Sequence, residues 1–167
     1  MKQVGVFYGS STGNCEIVAM NIKQCFNGRA DIFDIALTEP EKINEYSNLI
    51  FGVSTWGIGD LQADWEEYIE HLKSIDFTGR IIALYGLGDQ DTYADSFADG
   101  LGKLYSFLIE KNATIVGFWP ADEYDFENSS AYANGKFVGL VIDEDIQPEL
   151  TEPRVKKWVD MIMPEFL

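Results

Sequence analysis

The stretch QVGVFYGSSTGNCEIVAMNIKQCF, residues 3–26, decides the fold class. Gln3–Tyr8 is an apolar run of strand length. It passes straight into Gly9-Ser10-Ser11-Thr12-Gly13-Asn14, a loop of turn formers. From Asn14 to Phe26, Cys15, Val18, Ile22 and Cys25 recur at helical spacing. The loop between strand and helix carries chemistry as well as geometry. Its glycines permit tight turns, and the new helix offers free backbone N–H groups at a positive dipole end. With three hydroxyls and an amide beside them, neutral donors alone suffice for a phosphate. No GK[ST] follows, so this is not a Walker loop, and the absence of GxGxxG excludes a dinucleotide fingerprint. A phosphomonoester suits the loop. An ordinary capped turn is the alternative if the loop is read in isolation.

Working outward, the same alternation persists. Ala30–Ile35 reads as a second strand. Asn48–Val53 (NLIFGV) is a continuous apolar run of the kind covered on both faces, and Arg80–Gly86 is a fourth strand. Thr114–Phe118 opens a fifth, with Phe137–Ile142 as its continuation or neighbour. Helices are predicted over Asn14–Phe26, Asp64–Lys73, Asp95–Lys111 and Thr151–Met163, the last with Thr151 as N-cap. His71, the sole histidine, falls on a polar helix face. Strands alternating with helices predict a parallel sheet with helices on both faces. The polar, aromatic stretch Trp119–Lys136 reads as an insertion that interrupts the last strand.

Composition narrows the function classes. The 167 residues suit one domain, 1–167, with one core. Twenty-eight acids against 12 bases leave a formal net charge of −16, which repels nucleic acid and anionic membranes and attracts a basic protein partner. No apolar run reaches membrane-spanning length, and the N-terminus turns polar too soon for a signal peptide, so a cytoplasmic protein is expected. Cys15 and Cys25, ten residues apart on one predicted helix, stand about 15 Å apart along its axis, beyond disulfide reach. No Cys/His spacing suggests a metal site.

In doubly wound sheets, ligands bind at the carboxyl ends of strands, so the loops after the first, third and fourth strands belong together. The second of them is Ser54-Thr55-Trp56-Gly57-Ile58-Gly59-Asp60, and the third is Gly86-Leu87-Gly88-Asp89-Gln90-Asp91-Thr92-Tyr93. Each brings an aromatic past a strand end. Trp56 and Tyr93 together can sandwich a planar ring whose phosphate tail reaches the first loop.

These segments, in order and spacing, resemble the flavodoxin family from end to end, and the interruption at Trp119–Lys136 resembles the insertion of its long-chain subgroup. The resemblance implies a doubly wound five-stranded parallel sheet, strand order 2-1-3-4-5, and a non-covalently bound FMN. It implies that Ser10, Ser11, Thr12, Gly13, Asn14 and Cys15 hold the phosphate, with Thr55 adding a contact beside Ser54. Trp56 and Tyr93 would flank the isoalloxazine, with Gly57, Ile58 and Gly59 at its edge. Leu87, Gly88 and Asp89 would meet its pyrimidine side through the backbone, and Asp145 the ribityl chain. The Gly57–Ile58 peptide, by the same resemblance, turns toward flavin N5 and stabilises a neutral semiquinone.

The family usually has threonine where this chain has Cys15. Losing that hydroxyl removes a hydrogen bond to a charged group, about 1.5–3 kcal/mol of FMN affinity, unless Cys15 simply packs beside Val18. Acidic residues around the loops (Asp60, Asp64, Glu66, Glu67, Asp89, Asp91, Asp95) would each cost a reduced, anionic ring roughly 0.8 kcal/mol at about 10 Å and a dielectric near 40. The expectation is a monomeric, low-potential one-electron carrier. It would dock transiently on a basic-patched reductase and on acceptor redox enzymes. The competing reading is an FMN-dependent NAD(P)H:quinone-type oxidoreductase on the same fold. A phospho-accepting receiver domain would need acidic residues where Tyr8-Gly9-Ser10 and Ser54-Thr55 stand.

Overall fold

The computed structural model describes residues 3–166. Strand β1 (Val4–Tyr8) is fully buried and pairs in parallel with β2 (Ala30–Asp34) on one side and β3 (Asn48–Trp56) on the other. Beyond β3 lies β5 (Ile81–Leu87), also parallel, with Asn48 opposite Ile81 and Ser54 opposite Leu87. The short β4 (Asp60–Leu61) pairs only with β3, antiparallel. The outer neighbour of β5 comes in two pieces. Its first half pairs with β6 (Thr114–Val116) and its second half with β10 (Leu140–Ile142). The sheet is therefore the doubly wound 2-1-3-4-5 arrangement with an interrupted last strand, as the sequence predicts.

Four helices cover it: α1 (Asn14–Cys25), α2 (Ala63–Leu72), α3 (Asp99–Glu110) and α4 (Thr151–Ile162). Alternation along β5 separates their faces. The Tyr85 hydroxyl donates to the Cys15 carbonyl of α1 at 2.8 Å, whereas a Cβ on Gly86 would meet Leu101 of α3. α1 packs with α4 on one face. On the other, Trp65 of α2 stacks edge-on against Phe51 and donates its Nε1–H to the Gly52 carbonyl. The continuous apolar strands are thus buried from both sides. Among the described residues no helix is long and apolar enough to cross a membrane.

The interruption is a domain-edge element with its own small sheet, β7 (Trp119–Pro120), β9 (Lys136–Phe137) and β8 (Tyr132–Ala133), in that spatial order. Phe97, Tyr124, Phe126 and Phe137 form its aromatic core. The chain re-enters the main sheet at Gly139, where a Cβ would lie 2.3 Å from the Leu84 carbonyl oxygen, so backbone meets backbone and only glycine fits. The run Phe137–Ile142 is consequently two strands in different sheets.

Three local expectations are corrected. The third strand does not end at Val53 but runs on to Trp56. A turn through Gly57 (φ 51°) and Gly59 (φ 80°) then reverses the chain into β4, with Trp56 opposite Asp60. Helix α3 begins at Asp99, not Asp95. Ala98 is left-handed at φ 54°, and the insertion takes the hydrogen bonds a helix would use: Glu127 and Asn128 N–H donate to the Ala94 carbonyl, and Phe97 N–H to Asn128. Thr151 lies inside the first turn of α4 rather than capping it, because Leu150 occupies the N-cap and the Thr151 hydroxyl donates to the Glu144 carboxylate.

Candidate functional site

At the carboxyl ends of β1, β3, β5 and β10 lies a cavity of about 280 Å³, walled by the three loops singled out in the sequence. The first wall is the Gly9–Asn14 loop. A Cβ on Gly9 would fall 2.4 Å from Gln62 Oε1 and 2.7 Å from the Trp65 ring, so the chain leaves β1 where only glycine fits. Gly13 occupies the N-cap of α1 in the left-handed region at φ 90°. It donates its N–H to Ser10 Oγ at 2.9 Å. No side chain caps the helix. Its first N–H groups are therefore free to bond an anion, beside the lining residues Ser10, Thr12 and Asn14. Ser11 and Gly13 do not line the cavity with side chains. Ser11 Oγ instead accepts from Gln62 Nε2 at 3.1 Å.

Cys15 lines the cavity floor yet belongs to the buried core with Val18 and Ala19. Its thiol is pushed up to about 12 by burial, against a smaller opposing effect of a hydrogen bond with Ser54. It is a neutral packing thiol. Cys15 and Cys25 are both free.

The second wall is Ser54, Thr55, Trp56 and Gly57. Thr55 Oγ1 accepts the Gly100 N–H at 2.9 Å, which anchors the start of α3 and leaves the hydroxyl proton available. Trp56 donates Nε1–H to Ser54 Oγ at 3.0 Å, and its side chain is 42% exposed. Ile58 is outside the cavity lining and 82% exposed, and Gly59 packs against Asp99. These two, with Ser11 and Gly13, are the expected residues that the cavity lining does not include.

The third wall is Leu87, Gly88, Asp89 and Tyr93, the tyrosine 43% exposed. Gly88 is held close by Ala98, whose nitrogen would be 3.0 Å from a Cβ. Burial raises the Asp89 carboxyl, but hydrogen bonds from Thr92 and from Asp91 outweigh it and hold the group below the usual carboxylate range. Opposite stands Asp145, whose carboxyl is raised by burial and then by the charges of Asp89 and Asp143. Glu144 also lines the cavity and was missed, since nothing local sets it apart from the other acids of the stretch Asp143–Asp145. Among the described residues, none that lines the cavity is a lysine or arginine. One end therefore offers neutral N–H and O–H donors, the other carboxylates and two half-exposed rings.

Comparisons agree with this geometry. The family model described as Flavodoxin matches residues 6–158. A flavodoxin of Synechocystis sp. is 47% identical over 166 residues, 98% of each chain. Flavodoxin 1 of Escherichia coli (strain K12) is 46% identical over 167 residues, covering 99% of this chain and 95% of its own. The crystal structure of Fusobacterium nucleatum flavodoxin bound to flavin mononucleotide superposes with a TM-score of 0.95 at 34% identity and covers all of both chains. Sequence, sheet order and site geometry converge, and the chain belongs to the flavodoxin family, a family of electron-transfer flavoproteins.

Proposed function

We propose that this chain, as one domain over residues 1–167, holds one FMN and serves as a low-potential one-electron carrier rather than as an enzyme. The observation that carries the proposal is the meeting of an uncapped helix N-terminus and two half-exposed rings from separate loops in one cavity. An exposed Trp and Tyr flanking a cavity are costly unless they cover something flat. The residues present fit the group. A phosphate finds the Ser10 and Thr12 hydroxyls, the Asn14 amide and the backbone N–H groups of Ser11, Thr12, Asn14 and Cys15, with Thr55 able to donate its remaining proton, while the Gly13 N–H is already given to Ser10 Oγ. Trp56 and Tyr93 would exclude water from the ring. Gly57, Ile58 and Gly59 would line its edge through backbone, as would Leu87, Gly88 and Asp89. Asp145, joined by Glu144, would face the ribityl chain.

When bound, FMN supplies one-electron redox chemistry. The chain contributes the environment: apolar faces and a carboxylate rim that disfavour added negative charge and hold the potential low. The same rim would steer a monomeric, cytoplasmic carrier onto basic patches of a flavodoxin reductase and of acceptor redox enzymes, in weak, transient contacts. The test is to purify the protein from cells, record its visible spectrum and titrate it anaerobically with dithionite. A yellow protein that releases about one equivalent of FMN and passes through a long-wavelength one-electron stage is expected. Direct passage to the two-electron state, with NADPH–quinone turnover unaided by a reductase, would favour the oxidoreductase reading. A colourless protein that takes up no FMN would refute both.

A further inference from the structure

Beside the cavity, and outside its lining, sits a buried polar node that ties three segments distant in sequence. Asp143, 1% exposed, accepts four hydrogen bonds. Oδ2 takes the Gln90 N–H at 2.9 Å and the Gln90 side-chain amide at 2.8 Å, and Oδ1 takes the Asp145 and Ile146 N–H groups at 3.1 and 3.0 Å. Gln90, itself 4% exposed, turns its Oε1 to the Asp125 N–H of the insertion at 2.7 Å. The Gln90 amide thus hydrogen-bonds both ways, to the insertion and to the loop bearing Glu144 and Asp145. Its own backbone lies next to Asp89.

A buried carboxylate is tolerated only when its oxygens are satisfied, and here every bond comes from an amide N–H. Such a node has one good arrangement. Removing a member leaves orphaned groups, so the loops it joins must move together. Gly88 N–H, just before the turn, donates to the Ile142 carbonyl at 3.1 Å; past that tie the Asp89–Thr92 turn is held by bonds to Asp89 itself, which travel with the loop and do not anchor it. The insertion's other ties reach Ala94, Phe97 and Asp99, further along, and Val141 and Gln147 on either side of Asp143, so Gln90 is its link to the turn that follows Gly88.

We infer that Gln90 and Asp143 are positioning residues. Through them the insertion, by way of the Asp125 N–H, sets where the Asp89–Gln90 backbone stands against the flavin, and so sets FMN affinity and potential. This rests on the FMN reading of the cavity. Backbone N–H groups at the ring edge count for more as the ring gains electrons, so a loosened loop penalises reduced flavin more than oxidised flavin.

The experiment compares the full-length wild type with Gln90→Met, which keeps the volume and removes all side-chain hydrogen bonds, and with Asp143→Asn, which keeps the shape and turns an amide NH2, a donor, toward one pair of N–H donors. Amide hydrogen exchange without flavin is measured first. Faster exchange confined to residues 89–93, 121–126 and 143–147 is expected, and unchanged exchange in both variants overturns the inference. With FMN added, oxidised flavin should bind about tenfold more weakly and one-electron-reduced flavin about a hundredfold. The tenfold difference lowers the one-electron potential by about 59 mV. Potentials equal to the wild type, with weakened binding alone, would assign the node to structure and refute the positioning role. A wild type that binds no FMN would sink the cofactor reading, while the exchange result would still decide whether the node joins the three segments.

Discussion

Replacing Trp56 by alanine removes one of the two rings that face the cavity without touching the core. The side chain is 42% exposed, and a tryptophan offers about 250 Å², so roughly 100 Å² of indole stands in water before any ligand arrives. If a flavin covers about half of it and loses an equal area of its own, about 100 Å² leaves water, worth roughly 2.5 kcal/mol at about 25 cal/mol per Å². The hydrogen bond to Ser54 Oγ is partly exposed and adds little. FMN should therefore bind Trp56→Ala about 50- to 100-fold more weakly. The assay is quenching of FMN fluorescence on titration of the flavin-free chain, with urea unfolding of that chain as the control. A loss below about fivefold would show that the indole does not cover the ring, and the sandwich would have to be abandoned.

Gly57→Ala should be strained, since φ is 51° and the new Cβ would lie 3.0 Å from Asp60 Oδ2. A smaller yield of half-reduced flavin is expected in a dithionite titration, and an unchanged yield removes the role given to the Gly57–Ile58 peptide. Gly139→Ala places a Cβ 2.3 Å from the Leu84 carbonyl oxygen and should cost about 2–3 kcal/mol of unfolding free energy in urea. A loss under about 0.5 kcal/mol would mean that the re-entry point can shift. Burial raises the Cys15 thiol from 9.0 to about 12, so its contribution to stability is complete below pH 9 and is lost as pH rises from there toward 12. The slope is about 1.4 kcal/mol per pH unit within that window. Unfolding measured from pH 8 to 11 should show the decline, to which the buried Tyr46, Tyr68, Tyr85 and Tyr124, also raised by burial, add above pH 10, and Cys15→Ala should make it shallower between pH 9 and 10. Added salt should slow reduction by a partner reductase, and stopped-flow rates independent of ionic strength would remove the steering role of the −16 net charge.

Most of the strands, the helices and their order were legible in residues 3–26 and in the alternation that follows, because periodicity reports directly which face of an element is buried. The phosphate loop was legible for a related reason: Gly9 and Gly13 are answers to local backbone demands, a close approach and a left-handed cap. Trp56 and Tyr93 stood out because large rings in polar, glycine-bearing segments beyond the apolar runs have no local use.

What only the tertiary structure decided lies in bonds between distant residues. Gln90 and Asp143 are 53 positions apart, Ser11 and Gln62 are 51 apart, and nothing in either neighbourhood marks them as partners. The start of α3 at Asp99 was illegible because the insertion, some thirty residues downstream, captures the hydrogen bonds of Ala94 and Phe97. Cys15 shows both sides. Its spacing placed it on the buried stripe of α1, but only the packing showed a thiol held neutral against Ser54 while its helix end stays open to an anion. Local pattern states what each residue prefers, and folding settles which preferences are met where they compete for the same hydrogen bonds.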